Sequence, residues 1–560
     1  MNSSAKIVIL FFLLLFLQSA YAQQSFTPVT SQVGISVLND NLGQDCAWAD
    51  IDNDGDLDIA FSYSNPSLFK IYRNDGGTFT DITAGSGLTS IGASSILWAE
   101  ISGDEYTDMF TGSYVYKNNG DGTFTSLGQV AGHTSSLADF DMDGNIDILD
   151  ISPPSIKFGN GNGVFGNEYS LPADNIISSI CFDFDNNGYI DILLGALQSG
   201  TSKLFKNNGD GSFDDVTAGS GISFSNDVYG MSAGDINNDG LMDIYAALHK
   251  GQLSEPGNAL LKNNGDGTFA NITTSSGAIG QPSTRTASFA DYNNDGWMDI
   301  LVDDHYKGNY LYHNNGNETF TEVADALNIR DAHPIAGIGG DYFGTSWGDY
   351  NNDGAIDFFG SGHWSIHKLY ENQNCPDNFL ILRLIGTESN RNAIGVKVKV
   401  KAGDTEISRT VIAGDGGCNF NSLPLEFGLG QNTTIEYIEI NWTNSPVQTI
   451  SGISANSFLS VIEGEPVSVE ENTNDIRFEC YPNPFNKTFS LIIENMERSE
   501  LNIDLFDFNG KLIVQYTVSA NDSREDKFDF NLEKYKLTPG IYYLKLRSEK
   551  LIKTIKIIKQ

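Results

Sequence analysis

Between residues 42 and 372 the apolar positions fall in short runs that alternate with polar ones, and helical spacing is absent throughout. The first unit contains "CAWAD", "LDIAFS", "LFKIYRN" and "GTFTDIT" in succession, parted by Gly, Asn and Asp. Alternating β-branched and aromatic segments of this kind predict four antiparallel strands. The unit returns seven times at intervals of 39 to 58 residues, which predicts a seven-bladed β-propeller over residues 23–372. The seventh unit breaks off after "KLYENQNC" without a fourth strand. "SFTPVT" from Ser25 is expected to supply it, latching the ring and removing two exposed sheet edges.

From Cys375 the strands lengthen: "NFLILRLIG", "GVKVKVKAG", "EISRTVIAG", "IEYIEINW" and "FLSVIEG" predict a small β-sandwich over 375–465. A polar linker, 466–474, leads to a second small sandwich over 475–560, so the fold class is all-β throughout. At the start, Lys6 precedes an apolar run from Ile7 to Leu17 that ends in Ala20-Tyr21-Ala22. Residues 1–22 therefore read as a signal peptide, with an exported, not membrane-spanning protein beginning near Gln23.

The 560 residues exceed one ordinary core, and the formal charge of -39 argues against nucleic acid or an anionic membrane as partner. With 40% hydrophobic and 11% aromatic residues, the acidity does not signal disorder. Five cysteines make neither a disulfide framework nor a CxxC site, and buried free thiols are expected.

The acidity is concentrated where the first strand of each unit meets the second. The loops are "DIDNDGDLD" from Asp50, "DFDMDGNID" from Asp139, "DFDNNGYID" from Asp183, "DINNDGLMD" from Asp235, "DYNNDGWMD" from Asp291 and "DYNNDGAID" from Asp349. In this nine-residue pattern the side chains at positions 1, 3, 5 and 9 and the carbonyl at position 7 converge, and Gly at position 6 permits the sharp turn. The predicted ligands are Asp50, Asp52, Asp54, Asp56 and Asp58 in the first repeat, and Asp139, Asp141, Asp143, Asn145 and Asp147 in the third. Asp183, Asp185, Asn187, Tyr189 and Asp191 follow in the fourth, and Asp235, Asn237, Asp239, Leu241 and Asp243 in the fifth. The sixth has Asp291, Asn293, Asp295, Trp297 and Asp299; the seventh has Asp349, Asn351, Asp353, Ala355 and Asp357. An oxygen-only, carboxylate-rich cage suits Ca2+, with about six sites. The second loop, "EISGDEYTD" from Glu100, lacks the glycine and is expected to be empty or weak.

A plain Asn-Asp-Gly hairpin is the competing explanation, and it suits "NNGDG" before each fourth strand. It does not explain Asp at positions 1 and 9 of every intact loop. Twenty-one aspartates lie in those six loops, five in the first, four in the third and three in each of the others. Six divalent ions would cancel twelve of those charges, so binding free energy becomes folding free energy.

Candidate chemistry of another kind lies six residues past position 9, where the last three repeats carry His249, His305 and His363. Connections between repeats reach the same face with Arg285, Arg330, His333 and Asp341, and Tyr306 and Trp364 lie beside them. Such a mixture could grip an acidic glycan or act as acid and base, provided the three imidazoles approach one another.

The acidic repeats resemble FG-GAP/VCBS repeats, the calcium-loop propeller blades also found in integrin α-subunits. "ESNRNAIGVKVKV", "LEFGLG" and "IEINWTNSPVQTISGI" resemble the ASPIC/UnbV domain of cartilage-acidic-protein-like secreted proteins, although the usual Trp-Pro-Ser-Gly turn is Trp442-Thr443-Asn444-Ser445 here. "YPNPFNKTFSLII", "IDLFDFNGKLI", "LTPGIYYLKL" and "KTIKIIKQ" resemble the C-terminal sorting domain of type IX secretion substrates in gram-negative bacteria. These resemblances imply a propeller, calcium, and export by the type IX machinery to the cell surface or medium. The leading expectation is a non-enzymatic adhesion or binding protein with an extracellular glycan or protein ligand. The alternative is a carbohydrate-active enzyme, a polysaccharide lyase or hydrolase, working on the histidine face.

Overall fold

A computed structural model describes residues 24–559, apart from 38–41, 66, 89–94, 198–199, 225–226, 250–256, 281–282, 305–307, 331–340, 364–366, 415–418, 466–476, 482–484, 495–499, 508–511, 520–524, 538–539 and 548–551. The predicted signal peptide and linker, 1–22 and 466–474, lie outside the described residues. Two compact units emerge, Met1–Glu465 and Pro466–Gln560. Among the described residues no helix is long and apolar enough to cross a membrane.

The first repeat folds as an antiparallel meander of Leu42–Ala49, Asp58–Asn65, Ser67–Asn74 and Phe79–Asp81. Four-stranded meanders begin likewise at Ile96–Ala99, Thr134–Ala138, Ile176–Phe182, Asp227–Gly234 and Thr284–Ala290. The last has three strands of its own, Asp341–Gly348, Asp357–His363 and Lys368–Gln373. Ser25–Pro28 pairs antiparallel with the third of these, from Ser25↔Gln373 to Pro28↔Tyr370. Each repeat's first strand packs beside the first strand of the next, and Asp341–Gly348 lies beside Leu42–Ala49. The architecture is all-β and consistent with a propeller.

Apolar side chains fill the space between neighbouring sheets, as where Ile180 and Leu193 meet Met231 and Ile244. Each fully buried side chain of this size contributes about 1.5–3 kcal/mol. Indole N–H groups stitch the inner strands: Trp48 Nε1 donates to Ser346 O at 3.0 Å, and Trp347 Nε1 to Ser288 Oγ at 2.9 Å.

The asparagine at the end of the third strand, which opens "NNGDG" in three of the repeats, does more than start a hairpin. Asn74 Nδ2 donates to Leu57 O of its own repeat at 3.1 Å and to Tyr350 O of the last repeat at 2.7 Å. Asn118, Asn207, Asn263, Asn314 and Asn372 repeat the arrangement, reaching Ile51 O, Phe140 O, Phe184 O, Ile236 O and Tyr292 O of the preceding repeat at 2.7–2.8 Å. Buried amides with both donors satisfied fix the spacing between sheets. The third repeat has Gly159 at this place, and Gly163 N donates instead to Ile101 O at 2.8 Å.

Residues 375–465 stay within the first compact unit. They form a three-stranded sheet of Asn378–Ile385, Leu425–Gly430 and Ser457–Ile462, and a four-stranded sheet of Lys397–Ala402, Thr405–Thr410, Thr434–Asn441 and Gln448–Ser454. A segment of this module runs along the inner strands of the repeats. Asn419–Phe420 pairs parallel with Cys46 and Ala47, Leu137 N donates to Ala413 O at 3.2 Å, and Ser422 N donates to Trp347 O at 2.9 Å. The second unit has sheets of three and four strands around one core that includes Phe489, Leu491, Ile503, Phe530 and Leu544.

Candidate metal centres

The six intact loops share one hydrogen-bonded frame. Position 1 accepts two backbone N–H groups: Asp50 Oδ1 takes Asp54 N at 3.1 Å and Oδ2 takes Gly55 N at 3.2 Å. Asp139, Asp183, Asp235, Asp291 and Asp349 do the same. Asp54 Oδ1 at position 5 accepts Asp56 N, and the equivalents Asp143, Asn187, Asp239, Asp295 and Asp353 accept the position-7 N–H of their own loops. The turn requires a left-handed residue at position 6, met by Gly55 at φ 96° and Gly296 at φ 94°.

Position 9 carries a double duty. Asp58 is buried at 1% exposure, with Oδ2 accepting Ile51 N at 2.8 Å and Oδ1 accepting Asn74 N at 2.7 Å. Asp147, Asp191, Asp243, Asp299 and Asp357 are held alike. This carboxylate ties the loop to the third strand while its remaining lone pairs face the cage.

Position 3 tests whether a cation fits. Asp52 Oδ1, Asp141 Oδ1 and Asp185 Oδ1 are buried atoms that accept no hydrogen bond among the described residues, while the other oxygen of Asp185 pairs with Lys206 Nζ at 2.5 Å and that of Asp52 lies 4.0 Å from Arg73 Nε. Each lies in a group of three carboxylates, Asp50–Asp52–Asp58, Asp139–Asp141–Asp147 or Asp183–Asp185–Asp191, whose ligand atoms are all within 4.8 Å of one another. Buried anionic oxygens with no donor are costly unless a cation supplies the missing charge. Oxygen-only cages of this kind fit a hard divalent ion. In the fifth, sixth and seventh loops Asn237, Asn293 and Asn351 stand at position 3, and each donates Nδ2 to the position-5 aspartate at 2.9–3.0 Å.

Burial first, and neighbouring carboxylates second, push these acids up. Asp52 rises to about 6, Asp139 and Asp349 to about 7, and Asp147, Asp191 and Asp243 to about 8, the last three held back by their N–H donors. Asp299 rises to about 7 through burial, restrained by His313 Nδ1 at 3.2 Å. The second loop keeps its path with Glu105 forced to φ 76° at position 6 and Lys117 Nζ 2.9 Å from Asp104.

The 375–465 module meets all seven loops. Arg383 Nη1 lies 2.6 Å from Asp50 Oδ2, and Glu100 N donates to Asn392 Oδ1 at 2.6 Å. Asn444 and Glu388 O close on Gly144, and Phe379 closes on Gly354. Lys397 Nζ donates to Asn186 Oδ1 at 2.9 Å and to Gly240 O at 2.5 Å. Gly430 N donates to Asn294 O at 2.9 Å, and Arg409, 5% exposed, has Nη2 4.0 Å from Asp291 Oδ2.

The opposite ends of the strands carry the predicted histidine face. Tyr229 brings two of its members together: the His249 ring centroid is 5.1 Å away, and Arg285 Cζ stands 4.2 Å over the same ring. Arg330 is held on its own repeat by Glu322, Asp325 and Asn309 O, over Tyr310. His305, His333, Tyr306 and Trp364 lie outside the described residues, as do the side chains of His363 and Asp341.

Sequence reasoning missed three sets of residues. The interlocking asparagines of "NNGDG" recur at a fixed offset, which was a usable signal. So does Asn at position 4, where Asn53, Asn186, Asn238, Asn294 and Asn352 donate Nδ2 to the position-6 carbonyl of the next loop at 2.8–3.4 Å. The basic residues of the 375–465 module gave no signal, because their partners are distant in the chain.

Comparison with known proteins agrees with the modular organisation. A family model for FG-GAP-like repeats matches residues 50–111, 183–246 and 251–302, one for ASPIC and UnbV matches 386–468, and one for the secretion system C-terminal sorting domain matches 479–560. Cartilage acidic protein 1 of Xenopus tropicalis is 27% identical over 286 residues, covering 49% of this chain and 41% of that protein. The human protein of that name is 24% identical over 444 residues, covering 74% and 62%. The chain spans about half the length of the curated relatives it matches. Among solved structures, an Agrocybe aegerita lectin that recognises non-reducing terminal N-acetylglucosamine is 20% identical, covering 57% of this chain and 88% of that one, with a TM-score of 0.37. The V. cholerae biofilm matrix protein Bap1 is 11% identical, covering 95% and 84%, with a TM-score of 0.32. The repeats and the sorting tail mark a secreted or cell-surface protein of β-propeller type handled by type IX secretion.

Proposed function

We propose that this is an exported, calcium-stabilised binding protein: a seven-bladed propeller over 23–372, closed by its N-terminal strand and followed by two small β-sandwiches, 375–465 and 475–560. Closure is supported by the unbroken succession of first strands and by the asparagine that joins the first repeat to the last. Six loops hold Ca2+ through the side chains at positions 1, 3, 5 and 9 and the position-7 carbonyl. The observation that carries this reading is the buried, donor-less carboxylate oxygen at position 3 of the first, third and fourth loops. Calcium at the millimolar levels found outside cells suffices for affinities of order 10^-4 to 10^-3 M.

The protein binds an extracellular glycan or protein without turning it over, at the mouth formed by Tyr229, His249 and Arg285. The Arg285 guanidinium lies over the Tyr229 ring with the His249 imidazole beside it, an aromatic and cationic cluster suited to an acidic or hydroxyl-rich ligand. Two experiments test the pair of statements. Calcium calorimetry on the purified chain is expected to show about six sites, and heat no larger than that of buffer contradicts the metal reading. Binding on a glycan or protein array that disappears in Tyr229→Ala supports the mouth; cleavage of an acidic polysaccharide, lost in His305→Ala, would put an enzyme in its place.

A further inference from the structure

The cages are alike in backbone and unlike in the fixed cations around them. Arg383 reaches the first loop, with Nη2 3.1 Å from Asn53 Oδ1 as well as its ion pair to Asp50. Lys397 sits between the fourth and fifth loops, and its charge acts on Asp183 and Asp235. Arg409 sits between the fifth and sixth, where it acts on Asp235 and Asp291, and its Nε has no hydrogen-bond partner among the described residues. Among the described residues no lysine or arginine pairs with a carboxylate of the third or seventh loop. There the module presents Glu388 O, Asn444 and Phe379.

We propose that Arg383, Lys397 and Arg409 are built-in counter-cations. They hold the carboxylates of their loops together when calcium is absent and weaken calcium binding there, so that the third and seventh loops are the tighter sites. The inference rests on the calcium reading given above and goes beyond it by ranking the sites.

The sign follows from Coulomb's law. A fixed positive charge beside a cage reduces the negative potential that draws in the ion, whereas it lowers the repulsion among the empty carboxylates. Charge counting shows why both kinds of cation fit together. The fifth and sixth loops hold six carboxylates, Asp235, Asp239, Asp243, Asp291, Asp295 and Asp299. Two calcium ions leave two negative charges; Arg409 offsets one, and Lys397, shared with Asp183 of the fourth loop, offsets part of the other. Nearby Lys262 and Glu318 pair with each other and add nothing net. Without metal, at least four negative charges stay uncompensated next to Arg409, where solvent hardly reaches. The third loop has four carboxylates and, among the described residues, no fixed cation, whereas Arg383 and Arg73 offset two of the first loop's five and Lys206 pairs with Asp185 in the fourth, so the third loop's ion gains most.

The test is a calorimetric calcium titration of the full chain beside Arg409→Met and Arg409→Lys. In Arg409→Met two sites are expected to tighten by about tenfold or more, for a charge several ångströms away in a poorly solvated setting. The same variant is expected to melt at a lower temperature in chelator, while Arg409→Lys stays close to the parent in both measurements. If Arg409→Met does not fold, Arg383→Gln carries the test at the first loop. Its pair is 38% exposed on the arginine side, so tightening there is about two- to fivefold. Unchanged or weaker affinity in these variants, with calcium still bound by the parent, overturns the inference alone. Absence of calcium binding in the parent overturns both it and the metal reading.

Discussion

The first and second loops follow the same path with different contents. In the first, Asp50, Asp52 and Asp58 crowd their oxygens within 4.8 Å, and Asp52 Oδ1 has no donor. In the second, Glu100 stands at position 1 and accepts the N–H groups of Gly103 and Asp104, and Lys117 pairs with Asp104 at 2.9 Å. Yet Asp108 at position 9 is kept, buried, accepting Ile101 N and Ser102 N at 3.1 Å and Asn118 N at 2.8 Å. The decayed loop thus keeps the backbone-holding acceptors of the intact one and loses the carboxylate at position 3. Positions 1 and 9 hold the backbone in both loops, position 3 adds a carboxylate only in the first, and Lys117 takes the place that Lys206 holds beside Asp185 in the fourth loop.

The largest effect is expected from breaking the shared element. Asp108→Ala leaves three N–H groups without an acceptor and should cost about 3 kcal/mol or more in urea unfolding, equally in calcium and in chelator. Asp58→Ala removes the same support and a ligand, so its cost should be larger in calcium than in chelator. Asn118→Ala deletes the donors to Ile51 O and Thr107 O and should lower stability by about 2 kcal/mol whatever the metal content. Asp52→Asn sharpens the contrast by changing sign: the unfolding free energy in urea falls in calcium and rises in chelator, by roughly 1–2 kcal/mol each way. The smallest effect is Glu105→Gly, which relieves a left-handed glutamate at φ 76° and should add about 1 kcal/mol.

Much of the fold was readable because a repeat reports itself. Four apolar segments and nine loop positions return often enough that Asp50 and Asp349 could be matched by eye, and the missing fourth strand pointed to Ser25. Within the loops, spacing identified the acids but could not divide their labour, since Asp58 and Asp52 look identical until Asn74 N is seen on the former. "NNGDG" was legible only as a turn, because the carbonyls its asparagines reach lie one repeat back. The seating of the 375–465 module was not legible at all. Arg383 and Asp50 are 333 residues apart, and no local pattern encodes a contact between them. Equivalent repeat positions likewise do not fix where a side chain turns, as His249 packs on Tyr229 of its own sheet.

Thermal unfolding from pH 5 to 8, in calcium and in chelator, tests the central claim most directly. Folding raises Asp147, Asp191 and Asp243 to about 8, above their ordinary carboxylate range, so the metal-free fold favours their protonated forms. That stability is fully present below about pH 4 and is lost as pH rises through 8. In chelator the melting temperature should therefore fall across the range. In calcium, protons compete with the ion for the same oxygens, and the melting temperature should hold or rise. Two curves that coincide at every pH would contradict the account.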